Sequence, residues 1–292
     1  MSEQVMFCLV GEQPIANYLP IRHKKPKKVV LLYSAFTQQR AERLALLLKA
    51  YGIEISDQQI EPYALGTIIK EIGKVISKEK DLKDDLCFNL TGGTKPMCIG
   101  AYHLCLADNI PYYYLQSEGG KSLFHVNTWQ KGRWQRSTNI LNSILTIDEY
   151  LKLHISHYTT RKINNPFEEI IYNSLINIFD ETACCICLST SLEVDLVFRI
   201  DNQIGIAEVK TGRKALSKEG IDQLNTAAGR EYLGTYTKKF LIIDREYEQN
   251  NKILAKERNI HVIELKDSNV NYLTPSDEVF LKETIKLNML HS

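Results

Sequence analysis

The sequence predicts an α/β protein built in two halves, and three patterns carry that prediction. In the first half, short uninterrupted apolar runs such as Val5–Val10 (VMFCLV) and Val29–Tyr33 (VVLLY) alternate with stretches of helical periodicity, the signature of parallel strands buried on both faces of a doubly wound sheet. In the second half, Leu192–Lys210 (LEVDLVFRIDNQIGIAEVK) reads as two adjacent strands joined by a polar turn at Asp201-Asn202-Gln203, flanked by helical patterns. Between them Trp129–Asn139 is polar and aperiodic and marks the crossing between domains, so that residues 1–140 form one domain, 141–164 a linker and 165–292 a second domain. A chain of 292 residues is long enough for two such cores.

Taken in order, the first strand at 5–10 ends at Gly11, and the second follows the basic run Lys24, Lys25, Lys27 and Lys28, which reads as a solvated loop. Thr37–Ala50 carries Ala41, Leu44, Ala45, Leu47 and Leu48 at helical spacing and can stop at Gly52. Ala64–Lys78 repeats the pattern with Leu65, Ile68, Ile69, Ile72, Val75 and Ile76. A strand at Asp85–Leu90, a Gly-rich turn, a helix over Pro96–Asp108 and strands at Pro111–Leu115 and Ser122–Asn127 complete the first half. Ile147–His154 is a short helical pattern. Asn165-Pro166 then starts a helix over Phe167–Phe179, with proline in the first turn. Ala183–Leu188 is a strand leading into the hairpin. After it come a helix (217–232), a strand (239–244), a helix (246–258), a strand (260–265) and a terminal helix (279–290).

Composition narrows the function classes. Lys+Arg 36 against Asp+Glu 35 leaves a formal charge of +1, so contact with nucleic acid must come from local patches rather than from a polycationic chain. No apolar run reaches the length of a bilayer span, and the opening MSEQVMFCLVGEQP reads as a first strand rather than a signal peptide. The seven cysteines lie mostly in apolar segments (Cys8, Cys87, Cys98, Cys105), as reduced core thiols of a cytoplasm do, and the Cys184/Cys187 C-x-x-C lacks the second pair or histidine that a metal site needs.

Two stretches carry chemistry. Strand alternation puts Glu208 and Lys210 on one face of the second hairpin strand and Asp195 on the first strand beside them. Two carboxylates and an ammonium suit a divalent metal that activates water against a phosphodiester. An isolated E-x-K is more often a weak surface ion pair; the preceding Asp-bearing strand and the interleaved apolar residues argue for a site. The other stretch is CFNLTGGTKPM, residues 87–97. Its glycines let backbone amides approach an anion, Thr91 and Thr94 add hydroxyls, Lys95 adds charge, and the following helix presents its N-terminus. It is not a Walker A, since the G-x-x-x-x-G-K-[ST] spacing is missing, and a tight strand-to-helix turn would use the same glycines. Loops at Gly11–Pro14 and Ser34–Arg40 fall at the same carboxyl edge of a parallel sheet, where ligands collect.

Together VGEQP with Asn17, LLYS, NLTGGTKPM, FEEIIYNSL and VD-x12-EVKTG resemble the CRISPR-associated nucleases that join a CARF sensor domain to a PD-(D/E)XK, restriction-endonuclease-like domain. The resemblance covers most of the chain. It implies an N-terminal Rossmann-like CARF domain over 1–140 and a C-terminal restriction-endonuclease-like α/β domain over 165–292. It also implies a homodimer of prokaryotic cytoplasm and antiviral defence, with cyclic tetra-adenylate as allosteric activator. The expected activity is Mn²⁺- or Mg²⁺-dependent cleavage of single-stranded DNA or RNA and nicking of duplex DNA. Carried over to this sequence, Asp195, Glu208 and Val209 contact the metal, Lys210 positions or activates water, and the helix carboxylate falls on Glu168 or Glu169, with Glu168 preferred because it is spaced with Ile171, Tyr172 and Leu175. Gln223 matches a position where such folds place a Gln or Lys near the site. The sensing residues are Gly11, Gln13, Ser34, Thr91, Gly92, Gly93, Thr94 and Lys95. Val194 stands where the family's motif has its proline. The competing reading is a non-catalytic nucleotide-sensing regulator that binds nucleic acid or a partner.

Overall fold

Buried apolar strands set the layout of each unit. The computed structural model describes residues 5–79 and 85–290 of a chain that divides into two units, Met1–Ile144 and Leu145–Ser292. In the first, β1 (Val5–Val10) is buried along its whole length, as a strand covered on both faces must be. It pairs in parallel with β2 (Lys28–Tyr33) on one side and β4 (Leu86–Asn89) on the other. β3 (Glu54–Gln59) continues past β2, β5 (Tyr112–Glu118) joins β4, and β6 (Lys121–Gln130) and β7 (Arg133–Ile140) add an antiparallel hairpin. The seven-stranded order is β3-β2-β1-β4-β5-β6-β7, so the chain builds outward from β1 first on one side and then on the other. The point of reversal, between β1 and β4, is where a doubly wound sheet opens a crevice at its strand ends.

Helices α1 (Ile15–Lys24), α2 (Gln38–Lys49), α3 (Leu65–Lys78) and α4 (Lys95–Asp108) connect these strands. Ile68, Ile72 and Val75 of α3 and Met97, Ala101 and Cys105 of α4 share one core with Phe7, Leu9, Leu32 and Phe88, in which the Phe7 and Phe88 rings stack at 4.8 Å. The helical spacing read from the sequence is thus the spacing of this buried face.

Three elements of this unit were not expected. α1 carries Pro20 within it and lacks an acidic first turn, so neither its periodicity nor its start signals a helix. β3 is the polar edge strand EISDQQ. The third lies at the end of the 1–140 stretch: Trp129–Asn139 is no crossing but the far half of the β6–β7 hairpin, with Trp129 opposite Trp134. An edge strand whose side chains are largely exposed needs no apolar alternation, which is why β7 reads as connector. The stretch 141–164 likewise contains α5 (Ile147–His154), whose capping box at Thr146 and Glu149 fixes its start and whose Tyr150 hydroxyl donates to Leu233 O at 2.7 Å inside the second unit.

The second unit is a six-stranded sheet in the order β13-β12-β11-β10-β9-β8, from β8 (Thr159–Thr160), β9 (Glu181–Cys187), β10 (Glu193–Ile200), β11 (Gln203–Lys210), β12 (Lys238–Ile243) and β13 (Ile260–Glu264). β9, β10 and β11 run antiparallel and β11, β12 and β13 parallel. Phe167, Ile171 and Leu175 of α6 (Pro166–Leu175) and Leu281, Ile285 and Met289 of α10 (Pro275–Leu290) share one core with Leu196, Phe198, Val209, Phe240 and Ile242. α8 (Glu219–Ala227) packs on β10, β11 and β12, with α7 (Gly212–Ala215) and α9 (Gln249–Glu257) completing the unit. α6 and α8 stop short of the helices read over 167–179 and 217–232. Cys184, Cys185 and Cys187 lie unbridged on β9.

Candidate functional site

The strand ends of the first unit build a crevice by close backbone contact. A Cβ on Gly92 would lie 2.2 Å from Leu9 O, and Gly93 takes φ +79°, so the turn after β4 can nest against the end of β1 only with glycine at both positions. Buried asparagines hold the two loops in register. Asn17 Nδ2 donates to Leu9 O at 2.8 Å, while Asn89 Nδ2 donates to Asn17 Oδ1 at 2.7 Å and to Ala16 O at 2.9 Å. The Thr91 hydroxyl is taken up in the same network, donating to Asn89 Oδ1 at 2.6 Å and accepting from Leu115 N at 2.8 Å. Thr94 caps α4, accepting from Met97 N at 3.3 Å.

The resulting cavity, about 530 Å³, is lined by Gly11, Ser34, Gly93 and Thr94 among the sensing residues, while Gln13, Thr91, Gly92 and Lys95 stand outside its lining. Of those four, Thr91 and Gly92 shape the wall rather than face the cavity, and Gln13 keeps a buried Oε1 with no hydrogen-bond partner among the described residues. Sequence reading left out Glu12, Phe36, Thr37, Arg40 and Tyr63. The first four fall in stretches already singled out by position, Arg40 among them in the first turn of α2. Tyr63, ahead of α3, carried no signal. Phe36 and Tyr63 are 78% and 64% exposed, so two aromatic rings stand open at the rim.

In the second unit the β10–β11 hairpin brings Asp195, Glu208 and Lys210 together. Lys210 Nζ lies 2.5 Å from Glu208 Oε2 and 3.5 Å from Asp195 Oδ2, and Asp195 Oδ2 also accepts from Val209 N at 2.7 Å. Glu208 is 1% exposed, and its second oxygen, Oε1, is buried with no hydrogen-bond partner among the described residues. Burial, then the nearby Asp195 charge, push the Glu208 carboxyl well above the usual range, against the pull of Lys210. Burial works against the Lys210 ammonium, but Glu208 and Asp195 outweigh it and hold its pKa up.

α6 delivers the third carboxylate. Asn165 Oδ1 accepts from Phe167 N at 3.0 Å as N-cap, and its Nδ2 donates to Glu168 Oε1 at 2.9 Å. Glu168 is half-buried, and burial followed by the Asp195 charge pushes its pKa up to about 7; Glu169, one residue on, is exposed. Backbone strain accompanies the cluster. The β9–β10 ladder passes from Ile186–Val194 to Cys184–Leu196, and Cys185, between them and across from Asp195, adopts φ +51°. Gln223 of α8 lines a cleft with Ser191, Lys218 and Tyr232 and keeps a buried Oε1 without a hydrogen-bond partner among the described residues.

Whether these residues fit a divalent cation can be tested on charge and geometry. Three carboxylates against one ammonium leave two uncompensated negative charges when all are ionised, and an orphaned buried carboxylate oxygen is what an absent cation leaves behind. Among the described residues no three His, Cys, Asp or Glu side chains form a ready metal cage. Two carboxylates, with the remaining positions open to water and phosphate, is the way Mg²⁺-like ions are commonly held. The residues fit.

Residues 5–150 match the family model described as the Card1 CARF domain. The chain belongs to that family. The CARF half and the second α/β unit together resemble solved structures over nearly their whole length. Can2 from Sulfobacillus thermosulfidooxidans, in complex with cyclic tetra-adenylate, aligns at TM-score 0.74 and 16% identity, covering 99% of this chain and 98% of that one. Protein VC1899 from Vibrio cholerae aligns at TM-score 0.76 and 11% identity, covering 97% and 98%. A type III CRISPR defence DNA nuclease activated by cyclic oligoadenylate aligns at TM-score 0.57 and 18% identity over 85% of this chain and 46% of that one. At these identities the likeness establishes the fold, a CARF domain followed by a second α/β domain. No match was found among curated protein sequences. No helix of the described residues is long and apolar enough to cross a membrane.

Proposed function

We propose that this chain is a metal-dependent nuclease of type III CRISPR defence, switched on when its CARF half binds a cyclic oligoadenylate, with the second unit acting as a PD-(D/E)XK domain. The observation that carries the reading is the buried, unpartnered Glu208 Oε1 beside Asp195 and Lys210. A bound Mn²⁺ or Mg²⁺ would supply Lewis acidity and a more acidic water. Asp195 and Glu208 would hold it, with the Val209 main chain beside them. Lys210, kept as an ammonium by its two carboxylate neighbours, donates hydrogen bonds that orient the attacking oxygen and steady the charge developing on the phosphate. Glu168, with a pKa near neutrality and its rotamer fixed by Asn165, is placed to exchange a proton with solvent water. The substrate is single-stranded DNA or RNA, with nicking of duplex DNA.

Support for the activator comes from the crevice. Main-chain groups of Gly11 and Gly93 and the α4 N-terminus offer anion contacts, Arg40 adds a cation, and the open Phe36 and Tyr63 rings offer faces on which purines stack. A ring of phosphates with two-fold symmetry calls for two such edges. On α4, Ile99, Tyr102 and Leu106 are exposed at one-face spacing (55%, 41% and 39%), an apolar surface suited to a homodimer.

The test is a nuclease assay on single-stranded DNA, single-stranded RNA and duplex DNA, with Mn²⁺, with and without cyclic tetra-adenylate. Cutting is expected only with both added, and Asp195→Asn and Lys210→Ala are expected to lower it by about 10²-fold or more while leaving activator binding intact. Unchanged cutting by both variants would sink the assignment.

A further inference from the structure

The β6–β7 hairpin of the first unit plays no part in the proposed chemistry, yet its composition is unlike the rest of the chain. Between Glu118 and Asp148 there is no Asp or Glu, while Lys121, Lys131, Arg133 and Arg136 all fall there, in a molecule whose charges otherwise nearly balance. Both tryptophans of the chain are there too. Register decides where they point. Tyr112 pairs with Asn127 and Asn127 with Arg136, Tyr114 pairs with His125, and Trp129 pairs with Trp134, so alternation puts Tyr112, Tyr114, Trp129, Trp134 and Arg136 on one face of β5–β7.

On that face Trp129 meets Trp134 at 5.6 Å and Trp134 meets Tyr112 at 5.2 Å, a connected row of rings. Tyr114 is 48% and Trp129 40% exposed. Arg136 donates to His125 Nδ1 at 2.9 Å, which holds its guanidinium against the row. At the tip, Lys131 and Arg133 are exposed and no ion pair is found for either among the described residues.

We infer that this open sheet face is a docking surface for single-stranded nucleic acid, binding it through the CARF half rather than through the carboxylate cluster. Exposed rings on a sheet give every base a stacking partner; Glu118 shares this face opposite Lys121 at one end of β6, while Lys131 and Arg133 at the tip beyond the other end are placed to track a phosphate backbone. A second copy of the chain is a poorer occupant, because a two-fold contact centred here would set Arg136 and Arg133 against cations of the same patch. The surface is read by binding, so its failure would leave the nuclease reading standing, and the reverse.

The experiment uses the full chain carrying Asp195→Asn, so that no probe is consumed, in EDTA, with labelled oligo-dT and oligo-U of about 20 nucleotides. Fluorescence anisotropy across a salt series gives Kd and its salt dependence. Trp129→Ala is expected to weaken binding about 5- to 100-fold, and Trp129→Phe to keep most of it. Lys131→Gln with Arg133→Gln should flatten the slope of log K against log salt by about 1.4 for two lost phosphate contacts. Retention by either oligomer supports the surface and says which sugar it prefers. Parent-like binding and slope in these variants would overturn the inference. So would an equal loss in Trp129→Phe, or a fall in binding that tracks a fall in oligomeric mass by sedimentation, since the face would then be packing within or between copies.

Discussion

Metal binding at the β10–β11 hairpin makes a prediction that does not depend on catalysis. The perturbation is Mn²⁺ added to metal-free protein at about 100 times its Kd, which stabilises the form that binds it by ~2.7 kcal/mol. In the proposed site the cation would sit on Asp195 and Glu208, both in the β10–β11 hairpin of Leu145–Ser292, a unit of about 150 residues. At that size a kcal/mol moves the melting temperature by about 3 °C, so a rise of roughly 8 °C is expected for the transition of this unit. Glu208→Gln removes one of the two ligating carboxylates and two-thirds or more of that rise should vanish, leaving the first unit's transition where it was. Differential scanning calorimetry with EDTA, Mn²⁺ and Mg²⁺ reads both. A full 8 °C shift surviving in Glu208→Gln and in Asp195→Asn would place the metal elsewhere. No shift in the parent up to millimolar Mn²⁺ would refute the charge argument itself.

Three further outcomes follow from the same contacts. Gly92→Ala puts a methyl group 2.2 Å from Leu9 O, a backbone atom that cannot yield, so the first unit should lose several °C of melting temperature and the crevice its activator binding, measured by calorimetry and titration with cyclic tetra-adenylate. Asn165→Ala removes the α6 cap at a cost of about 1 kcal/mol and frees Glu168, so cutting should fall while Mn²⁺ binding persists. Burial pushes the Glu264 carboxyl up, but Lys252 Nζ at 2.7 Å and the Tyr247 N–H at 2.7 Å outweigh it and hold its pKa below the usual carboxylate value. A depressed carboxylate contributes stability above its unfolded pKa and loses it as pH falls through the folded value. In urea, then, Glu264→Gln should be less stable than the parent at pH 7, and the gap should close as the medium is acidified below that range; a gap independent of pH would argue against the ion pair.

Legibility in the sequence tracked how local each cause was. Apolar runs and Asn165-Pro166 declare themselves within a few residues, and the strands and helix they predict are present. The D-x12-E-x-K spacing places its carboxylates by strand alternation alone, which is why Asp195, Glu208 and Lys210 could be brought together on paper and meet in three dimensions. Spacing with Ile171, Tyr172 and Leu175 favoured Glu168 over Glu169 without deciding between them, because only the direction of α6 against the sheet buries one and exposes the other. Thr91 looked like a ligand hydroxyl, but Asn89 and Leu115, partners reached only through folding, already use it. Tyr63 reaches the crevice from the stretch between β3 and α3, and the left-handed Cys185 has no residue-type signal at all. Polar edge strands fail for a different reason: β3 and β7 have exposed faces to satisfy, and solvent imposes no alternation that a reader could detect.

Electrostatics separates the nuclease reading from a purely binding one. A module that only held nucleic acid would gain nothing from Asp195, Glu208 and Glu168 gathered around a single lysine, since their excess negative charge repels the phosphates it must approach. The cluster is also costly to the protein alone: Glu208 is buried with one oxygen unsatisfied, and Asp195 raises the pKa of both glutamates. One divalent cation reverses every term, satisfying the oxygen, cancelling the repulsion and turning the site attractive to a phosphodiester. That reversal is the physical ground on which the metal site is proposed. The β6–β7 hairpin of the first unit shows the opposite composition, cations and rings with no Asp or Glu between Glu118 and Asp148, which suits the binding role inferred for it.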